Sequence, residues 1–269
     1  MNTLHKYQDI IEGIVVKRPS RYVKSPYVAD VLIIQQNTIY PQNTILCHAP
    51  SLGCNGMVNS GARVMLEKIY DGNEPKKCVY KIIYVKLDEI IVGTNPYISN
   101  KLVFDMISNN MIPNLTNLNS LKAEKKVGNS RFDIYGEKTI NNEIQKYYIE
   151  IKTAPIKIDN TNCAIFPEGY RKTKQHTISE RANKHLLELS ELKKSAKNIQ
   201  CFIIFVVPRD DCDSIQPNKN DSEYCACFTQ AVKSGVKILA LSTSINLDTK
   251  SIMFNKFLKV KFPFIPSGK

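Results

Sequence analysis

The sequence lacks the features that mark secreted and membrane-bound proteins. None of its apolar stretches reaches the roughly 18 residues that a membrane-spanning helix needs. Its first residues, MNTLHKYQDIIEG, do not show the basic-then-apolar pattern of a signal peptide. We therefore expect an intracellular protein, cytoplasmic or nuclear, with no membrane partner.

Closely paired cysteines are also missing. The eight cysteines are scattered, and the nearest pair, Cys225 and Cys227, is separated by one residue. On the helix predicted there, the two side chains point apart, whereas a structural zinc site needs paired C-x-x-C spacings. We expect small buried thiols rather than a zinc site or a disulfide framework.

Acidic residues are few compared with basic ones. The chain has 25 Asp and Glu against 37 Lys and Arg, which gives a net charge of +12. Such a surplus attracts polyanions because their counterions are released on binding, so nucleic acid is the leading predicted partner. A composition rich in Lys, Asn and Ile also follows from an AT-rich coding sequence, and charge alone leaves both interpretations open.

Residues 10–94 carry the pattern of an all-β domain. Short alternating or apolar segments lie between Pro, Gly and Asn turns, and they read IIEGIVV, YVADVLII, NTILCHA, ARVMLEKI, KCVYKIIYV and DEIIVGT. Five or six short strands in such a segment are typical of a small barrel such as an OB-fold, whose open face commonly binds single-stranded nucleic acid. We predict an OB-like β-barrel over residues 1–94.

A basic segment, KRPSRYVKSPY, joins the first two predicted strands. It mixes groups that pair with phosphate and rings that stack on bases, although a solvated hairpin tip is an equal alternative. A histidine beside a later barrel strand could also touch phosphate. The predicted nucleic-acid-binding residues are Lys17, Arg18, Arg21, Tyr22, Lys24 and His48.

Residues 95–269 change from the all-β pattern to a mixed one. Helical spacing marks NPYISNKLVFDMISNN and ERANKHLLELSELKK, while IQCFIIFVVP is continuously apolar, as a strand buried on both faces would be. The predicted order is α-β-β-β-α-β-α-β, which gives a mixed sheet with helices on its faces. The fold class is therefore α/β, or α+β for the whole chain.

Two strand-like segments in SRFDIYGEKTINNEIQKYYIEIKT carry charges at particular places. Side chains alternate across a strand, so Glu150 and Lys152 share one face, and Asp133 can join them if the two segments pair. Two carboxylates can hold Mg²⁺, and a nearby lysine can orient an attacking water or neutralise charge on phosphate. By spacing alone, cross-strand salt bridges on a half-exposed hairpin are the commoner explanation.

Further context makes the chain resemble a known family. The pattern Asp-(x)n-Glu-x-Lys after a helix is that of the PD-(D/E)XK nuclease superfamily. More specifically, the chain is similar to the sugar fermentation stimulation protein (SfsA) family, in which an OB-like DNA-binding domain precedes a domain with a restriction-endonuclease-like mixed sheet. The matching pieces are GARVML, VGTNPYISNKLV, SRFDIYG, YYIEIKT, AIFPEG, ERANKHLLEL, FVVPRDD and SGVKILA.

The resemblance implies roles for particular residues. It implies metal binding by Asp133 and Glu150 with help from Asp105, and catalysis by Lys152. Lys184 and His185 match a Lys-His pair of the family, and the predicted catalytic residues are therefore Asp133, Glu150, Lys152, Lys184 and His185. His185 also lies on the apolar stripe of its helix, so a hydrogen-bonded core histidine is an equal alternative.

The chain departs from the family pattern at three places. The usual double acid of the first helix is Phe104-Asp105 here, Asn183 replaces a glutamine before the Lys-His pair, and CHAPSLGCNG replaces a loop that usually reads CPNTGS. We predict a protein that binds single- or double-stranded DNA and hydrolyses phosphodiester bonds with Mg²⁺ or Mn²⁺. A non-enzymatic DNA-binding or regulatory protein of the same fold, and an enzyme that acts on RNA, remain alternatives.

Overall fold

The chain forms three helices and sixteen strands within the described residues. A computed structural model describes residues 3–35, 38–51, 56–69, 77–128, 130–169 and 177–262. The strands are β1 Thr3–Lys6, β2 Ile10–Lys17, β3 Val28–Gln35, β4 Thr38–His48, β5 Arg63–Lys68, β6 Tyr80–Leu87, β7 Ile90–Gly93, β8 Ser120–Val127, β9 Ser130–Ile140, β10 Glu143–Thr153, β11 Cys163–Phe166, β12 Ile199–Val207, β13 Ser214–Pro217, β14 Lys237–Asn246, β15 Ser251–Phe257 and β16 Lys259–Val260. The helices are α1 Tyr97–Ser108, α2 Glu180–Ser195 and α3 Ser222–Lys233.

The fold divides into two compact units. The first contains residues 1–98, 208–211 and 243–255, and the second contains residues 99–207, 212–242 and 256–269. The chain therefore returns twice to the first unit after leaving it, which a single boundary between residues 94 and 95 does not describe. That boundary between a nucleic-acid-binding and a nuclease-like domain stays a prediction.

Five strands of the first unit close into a ring. β2 pairs antiparallel with β3 and β5, β3 with β4, and β5 with β6, while a short parallel pairing of β4 with β6 completes the circle. Successive side chains of a strand point to opposite faces, so one face of each strand can be apolar. Val15, Val31, Val64, Leu66 and Ile82 fill the interior. The small barrel expected from the short alternating segments is present.

Gly93 shows why the end of β7 needs a glycine. Its amide donates to the carbonyl of Pro208 at 2.8 Å, and an added Cβ would lie 2.7 Å from the Cβ of that proline. A larger residue would push the two segments apart, so this glycine allows the close approach of the returning segment 208–211 within the first unit.

The second unit is built on a mixed sheet with the strand order β14-β12-β10-β9-β8. β10 pairs parallel with β12, and β12 pairs parallel with residues 237–242 of β14. The hairpins β8–β9 and β9–β10 are antiparallel. β12 lies between two parallel neighbours, and all but one of its residues are buried, as its continuous apolar sequence predicts.

Helices α2 and α3 cover one face of this sheet. Leu186 and Leu189 of α2 and Phe228 of α3 pack with Ile203 and Phe205 of β12 in a single apolar core. A separate three-stranded parallel sheet, β11-β13-β16, adds to the same unit. The predicted class, a mixed α+β chain with a large mixed sheet and few helices, is confirmed.

Two other expectations can be checked within the described ranges. The seven cysteines found there are all free, and Cys54 lies outside those residues. No described helix combines the length and the apolar character that crossing a membrane requires.

Candidate active site and nucleic-acid surface

The hairpin of β9 and β10 positions the two predicted acids. Asn141 and Asn142 form its turn with φ angles of 50° and 65°, a conformation that asparagine tolerates better than most residues. The ladder runs from Glu143 opposite Ile140 to Ile149 opposite Ile134. One further step in the same register places Asp133 opposite Glu150, on the same face of the sheet.

Asp133 is half-buried and joins three elements. Its Oδ1 accepts a hydrogen bond from Nδ2 of Asn100 on α1 at 2.8 Å, and its Oδ2 accepts one from the amide of Ile151 at 2.8 Å. Burial and then the neighbouring charge of Glu150 raise the pKa of Asp133, and the two hydrogen bonds and the charge of Lys152 offset the rise only in part.

Glu150 is more deeply buried, with 2% of its surface exposed. Its Oε1 accepts from Nζ of Lys152 at 2.6 Å and from Nδ1 of His185. Burial acts to raise the pKa of Glu150, but the hydrogen bond from His185 and the charge of Lys152 outweigh it and lower the pKa. Oε2 is buried and has no hydrogen-bond partner among the described residues.

Lys152, Glu150 and His185 form one compact cluster. Both nitrogens approach Oε1 of Glu150, and Nζ of Lys152 therefore lies only 3.1 Å from Nδ1 of His185. If Nδ1 carries a proton it donates to Glu150, and its contact with Lys152 is then only close packing. The sequence predicted each of these residues, and the structure brings all three together beside Asp133.

Helix α2 carries His185 toward the sheet and Lys184 away from it. Oγ of Ser179 caps the helix by accepting from the amide of Ala182 at 3.2 Å. Neighbouring residues on a helix are about 100° apart, so with His185 buried at 6% exposure, Lys184 faces outward. Its Nζ lies 3.7 Å from Oε1 of Glu188, and its catalytic role stays a prediction.

Asp105 pairs with a lysine of its own helix rather than with the two predicted metal ligands. Its Oδ2 is 2.5 Å from Nζ of Lys101 in an i,i+4 ion pair on α1. Asn100, which binds Asp133, precedes Asp105 by five residues, or about 140° around the helix. The described residues contain no group of three or more His, Cys, Asp or Glu arranged to hold a metal ion, so help from Asp105 stays a prediction.

The basic segment of the first unit is braced from within. Arg18 donates from Nε to the carbonyl of Pro26 at 3.0 Å and from Nη2 to the carbonyl of Ser51. The amide of Arg21 donates to Oδ2 of the buried Asp30 at 3.0 Å. Two nitrogens of the Arg18 guanidinium thus hold the loop in shape, and the role of Arg18 in nucleic-acid binding stays a prediction.

The outer residues of this segment face solvent. Lys17, Arg21 and Lys24 are exposed, and 77% of Tyr22 is accessible. Oγ of Ser20 accepts from the amide of Tyr22 at 3.0 Å and so fixes the backbone under the ring. An exposed aromatic ring among exposed cations is an arrangement that can bind single-stranded nucleic acid.

His48 ends β4 beside a basic residue that the sequence did not single out. The parallel pairing of β4 and β6 places it next to Lys81. Burial, then the charges of Lys81 and Arg18, lower the pKa of His48, which shows that three basic groups converge. Only the tertiary pairing reveals Lys81, because it is one of many lysines in the sequence.

Two residues of the second unit were also missed. Asn100 was quoted only as part of VGTNPYISNKLV, and its bond to Asp133 depends on where α1 packs. Glu168 was quoted only in AIFPEG, yet burial raises its pKa to about 8 and its Oε2 has no partner among the described residues. A buried acid in a short loop segment leaves no periodic signal in a sequence.

Comparison with family models and curated proteins gives one consistent result. The model of the sugar fermentation stimulation protein RE domain matches residues 97–249. A sugar fermentation stimulation protein homolog of Alkaliphilus oremlandii is 30% identical over 250 residues, which cover 90% of this chain and 94% of that protein. A homolog of Pelagibacter ubique is 29% identical over 255 residues, covering 93% and 96%.

A solved structure has a similar fold over nearly the whole chain. It is described as Pyrococcus furiosus SfsA in complex with Ca²⁺, and it covers 97% of this chain and 100% of its own with a TM-score of 0.76. Sequence identity is 19%, so this similarity concerns the fold alone.

Proposed function

Because this chain belongs to the sugar fermentation stimulation protein family, we propose that it binds DNA and hydrolyses phosphodiester bonds with Mg²⁺ or Mn²⁺. Asp133 and Glu150 hold the cation, and Lys152 acts on the scissile phosphate. The basic surface of the barrel holds the DNA backbone. The intracellular location predicted from the sequence is part of this proposal.

One observation supports a cation site above the others. Glu150 buries an oxygen that has no hydrogen-bond partner among the described residues, and the acid opposite it has a raised pKa because of burial and the charge of Glu150. An unpaired buried carboxylate oxygen costs free energy, and so does close repulsion between two acids. A divalent cation shared by Asp133 and Glu150 would relieve both.

The donors also fit the proposed ion. Both ligands are carboxylate oxygens, which Mg²⁺ and Mn²⁺ prefer, and Mg²⁺ is commonly held by only one or two carboxylates together with waters and substrate phosphate. A site of two acids is therefore sufficient. The Pyrococcus furiosus relative is described with Ca²⁺, another cation that takes oxygen ligands.

Different residues of the chain have different roles in the proposed hydrolysis. When bound, the ion would polarise the phosphate and lower the pKa of a water molecule. Lys152 supplies a mobile ammonium group that can orient the attacking water or neutralise charge developing on phosphate. The amide of Ile151 and Nδ2 of Asn100 keep Asp133 turned toward β10. His185 holds Oε1 of Glu150.

The barrel is the part of the chain that we propose binds DNA. Its closed five-stranded ring is OB-like, and such barrels commonly bind single strands through a basic surface with exposed aromatic rings. Tyr22 and Lys24 supply both kinds of group, and the converging charges at His48 add a third contact. The net charge of +12 favours a polyanion of either kind, so RNA is an outcome of the test.

A second candidate function rests on the same cluster. Oε1 of Glu150 already accepts from Lys152 and His185, and both oxygens of Asp133 accept hydrogen bonds. Such a cluster can be a purely structural ion pair. The chain would then be a non-enzymatic DNA-binding or regulatory protein that retains the fold of a nuclease.

The experiment that separates these functions compares three proteins on three substrates. Wild type, Lys152→Ala and the control Lys146→Ala, a lysine on the same strand, are incubated with plasmid, single-stranded DNA and RNA. Each mixture contains Mg²⁺, Mn²⁺ or a chelator. Metal-dependent cutting of DNA that only Lys152→Ala loses supports the proposal.

Other outcomes point elsewhere. DNA binding without cutting by any of the three proteins supports the regulatory function. Preferential cutting of RNA supports an RNA-directed enzyme. Cutting that continues in the chelator contradicts the proposed role of the cation.

A further inference from the structure

The two oxygens of Glu150 have very different surroundings. Oε1 accepts from both Nζ of Lys152 and Nδ1 of His185, whereas Oε2 has no partner among the described residues. With 2% of the residue exposed, water does not reach Oε2 freely. The carboxylate is therefore held by one oxygen and has the other available.

The two donors to Oε1 differ in how firmly they are fixed. His185 belongs to the buried face of α2 and packs beside Ala182, Leu186 and Leu189, so its ring has little freedom. Lys152 reaches Oε1 through a flexible four-carbon stem. Its proposed work on phosphate requires the ammonium to move away from Oε1, and His185 would then be the donor that remains.

The start of α2 is anchored independently. Nδ2 of Asn183 donates to Oε1 of Glu223 on α3 at 3.0 Å, and Ser179 caps the first turn. The position of His185 therefore does not depend on its bond to Glu150. A fixed donor on one oxygen of a carboxylate orients the whole group, because its two oxygens are rigidly connected.

We propose that His185 is a positioning residue of the cation site, which by holding Oε1 of Glu150 presents Oε2 to the divalent ion. This inference rests on the proposed function, because it concerns the same carboxylate. His185 touches neither the ion nor the substrate. Residues that orient metal ligands in this way commonly change metal affinity by about 10- to 100-fold when they are replaced.

The test measures binding of Mn²⁺ alone, without nucleic acid, by the decrease of the free-ion signal in electron paramagnetic resonance. His185→Asn keeps an amide N–H donor near the position of Nδ1, His185→Gln moves the donor about one bond further, and His185→Leu removes it. Ser190→Ala is the matched control, because this buried residue of α2 bonds only the carbonyl of Leu186 in the described structure. Thermal unfolding in a chelator checks that each variant folds.

We expect His185→Asn to bind Mn²⁺ within about threefold of wild type and the leucine and glutamine variants to bind about 10- to 100-fold more weakly. Ser190→Ala should bind as wild type does. If the leucine variant does not fold, the comparison of asparagine with glutamine still decides. Equal affinity of all folded variants, or equal loss in the asparagine and glutamine variants, would overturn the positioning role.

Failure of the proposed function gives a different result. Glu150→Gln and Asp133→Asn are measured in the same way. If wild type binds no Mn²⁺, or if these two variants bind it as wild type does, the cation site and with it the role of His185 are wrong. If they lose the ion while the leucine and glutamine variants of His185 keep it, only the positioning inference fails.

Discussion

The basic segment of the barrel and the cluster around Glu150 hold their charges in opposite ways. The barrel presents Arg21 and Lys24 to solvent, and 77% of the neighbouring Tyr22 is exposed. The second unit buries Glu150 to 2% exposure in contact with Lys152 and His185. The basic segment thus carries charges that act at a distance, and the cluster around Glu150 carries charges that act on one another.

This difference decides how each region responds to change. Exposed charges are screened by salt and contribute separately, so each one has a small effect. Buried charges are coupled, and removal of one leaves its partner in a medium that solvates it poorly. We therefore expect large, non-additive effects in the cluster around Glu150 and small, additive, salt-dependent effects at the exposed charges of the barrel.

The largest effect is expected on stability at the buried ion pair. The side chains of Lys152 and Glu150 are 13% and 3% exposed. Lys152→Met should lower the free energy of unfolding by about 3 kcal/mol, toward the lower end for breaking a buried pair because His185 remains. Lys152→Met combined with Glu150→Leu should recover most of this loss, as urea unfolding in a chelator would show.

An exposed ion pair in the barrel serves as the comparison for this double-mutant cycle. Nε of Arg63 is 3.5 Å from Oε2 of Glu12, and the two side chains are 47% and 38% exposed. The same double-mutant cycle should give a coupling of about 0–1 kcal/mol there. Equal couplings for the two pairs would contradict the contrast between buried and exposed charge.

The next effect concerns catalysis. Removal of the ammonium group by Lys152→Ala should lower the rate of DNA cutting by about 10²- to 10³-fold, the usual loss for one donor that stabilises developing charge. Binding of Mn²⁺ should persist, because Lys152 is not a proposed ligand. Single-turnover cutting of a labelled oligonucleotide measures the rate, and cutting within threefold of wild type would rule out the role of Lys152.

Glu168 extends the contrast to a half-buried acid whose buried Oε2 has no hydrogen-bond partner among the described residues. Burial raises its pKa to about 8 from 4.5. Between these values the folded chain keeps a proton that the unfolded chain has lost, so stability falls as the pH rises, by up to about 1.4 kcal/mol per pH unit. Glu168→Gln should remove this part of the pH dependence.

Denaturant unfolding between pH 4.5 and 8 measures the effect, with the exposed Glu143→Gln as control. Asp133 should act in the same direction because its pKa is also raised, whereas the lowered pKa of Glu150 changes stability only as the pH falls below its ordinary value of 4.5, outside this range. The expectation for Glu168 fails if its glutamine variant loses stability with pH as steeply as the control does.

The smallest effect is expected at a single exposed lysine of the barrel. Lys24→Ala should weaken DNA binding by less than about tenfold and reduce the slope of log affinity against log salt by about one. Lys126→Ala, an exposed lysine on β8, is the control. A salt titration by fluorescence anisotropy measures both, and a loss that does not depend on salt would contradict a phosphate contact.

Much of the fold follows from local patterns in the sequence. The six short segments of residues 10–94 correspond to β2 through β7, and the long apolar run became the buried β12. Asp221, a residue type that favours helix N-caps, caps α3 by accepting a hydrogen bond from the amide of Tyr224. Short strands such as β11 and β13 escaped prediction because four residues carry too little periodicity to be recognised.

The candidate site could be predicted only in part, for a physical reason. Alternation along two strands was enough to propose that Asp133, Glu150 and Lys152 share a face. The contacts of Asn100 and His185 depend on how helices pack on the sheet, which spacing alone does not determine. The resemblance supplied His185, and nothing in the sequence distinguished Asn100 from the other asparagines.

The central claim is that Asp133 and Glu150 hold one divalent cation between them. Anomalous diffraction from a crystal soaked in MnCl₂ tests it directly. We predict a single strong peak within coordination distance of both carboxylates, one contact being Oε2 of Glu150, and no such peak in a soaked crystal of Glu150→Gln. Absence of a peak between the two acids in the wild-type crystal would contradict the claim.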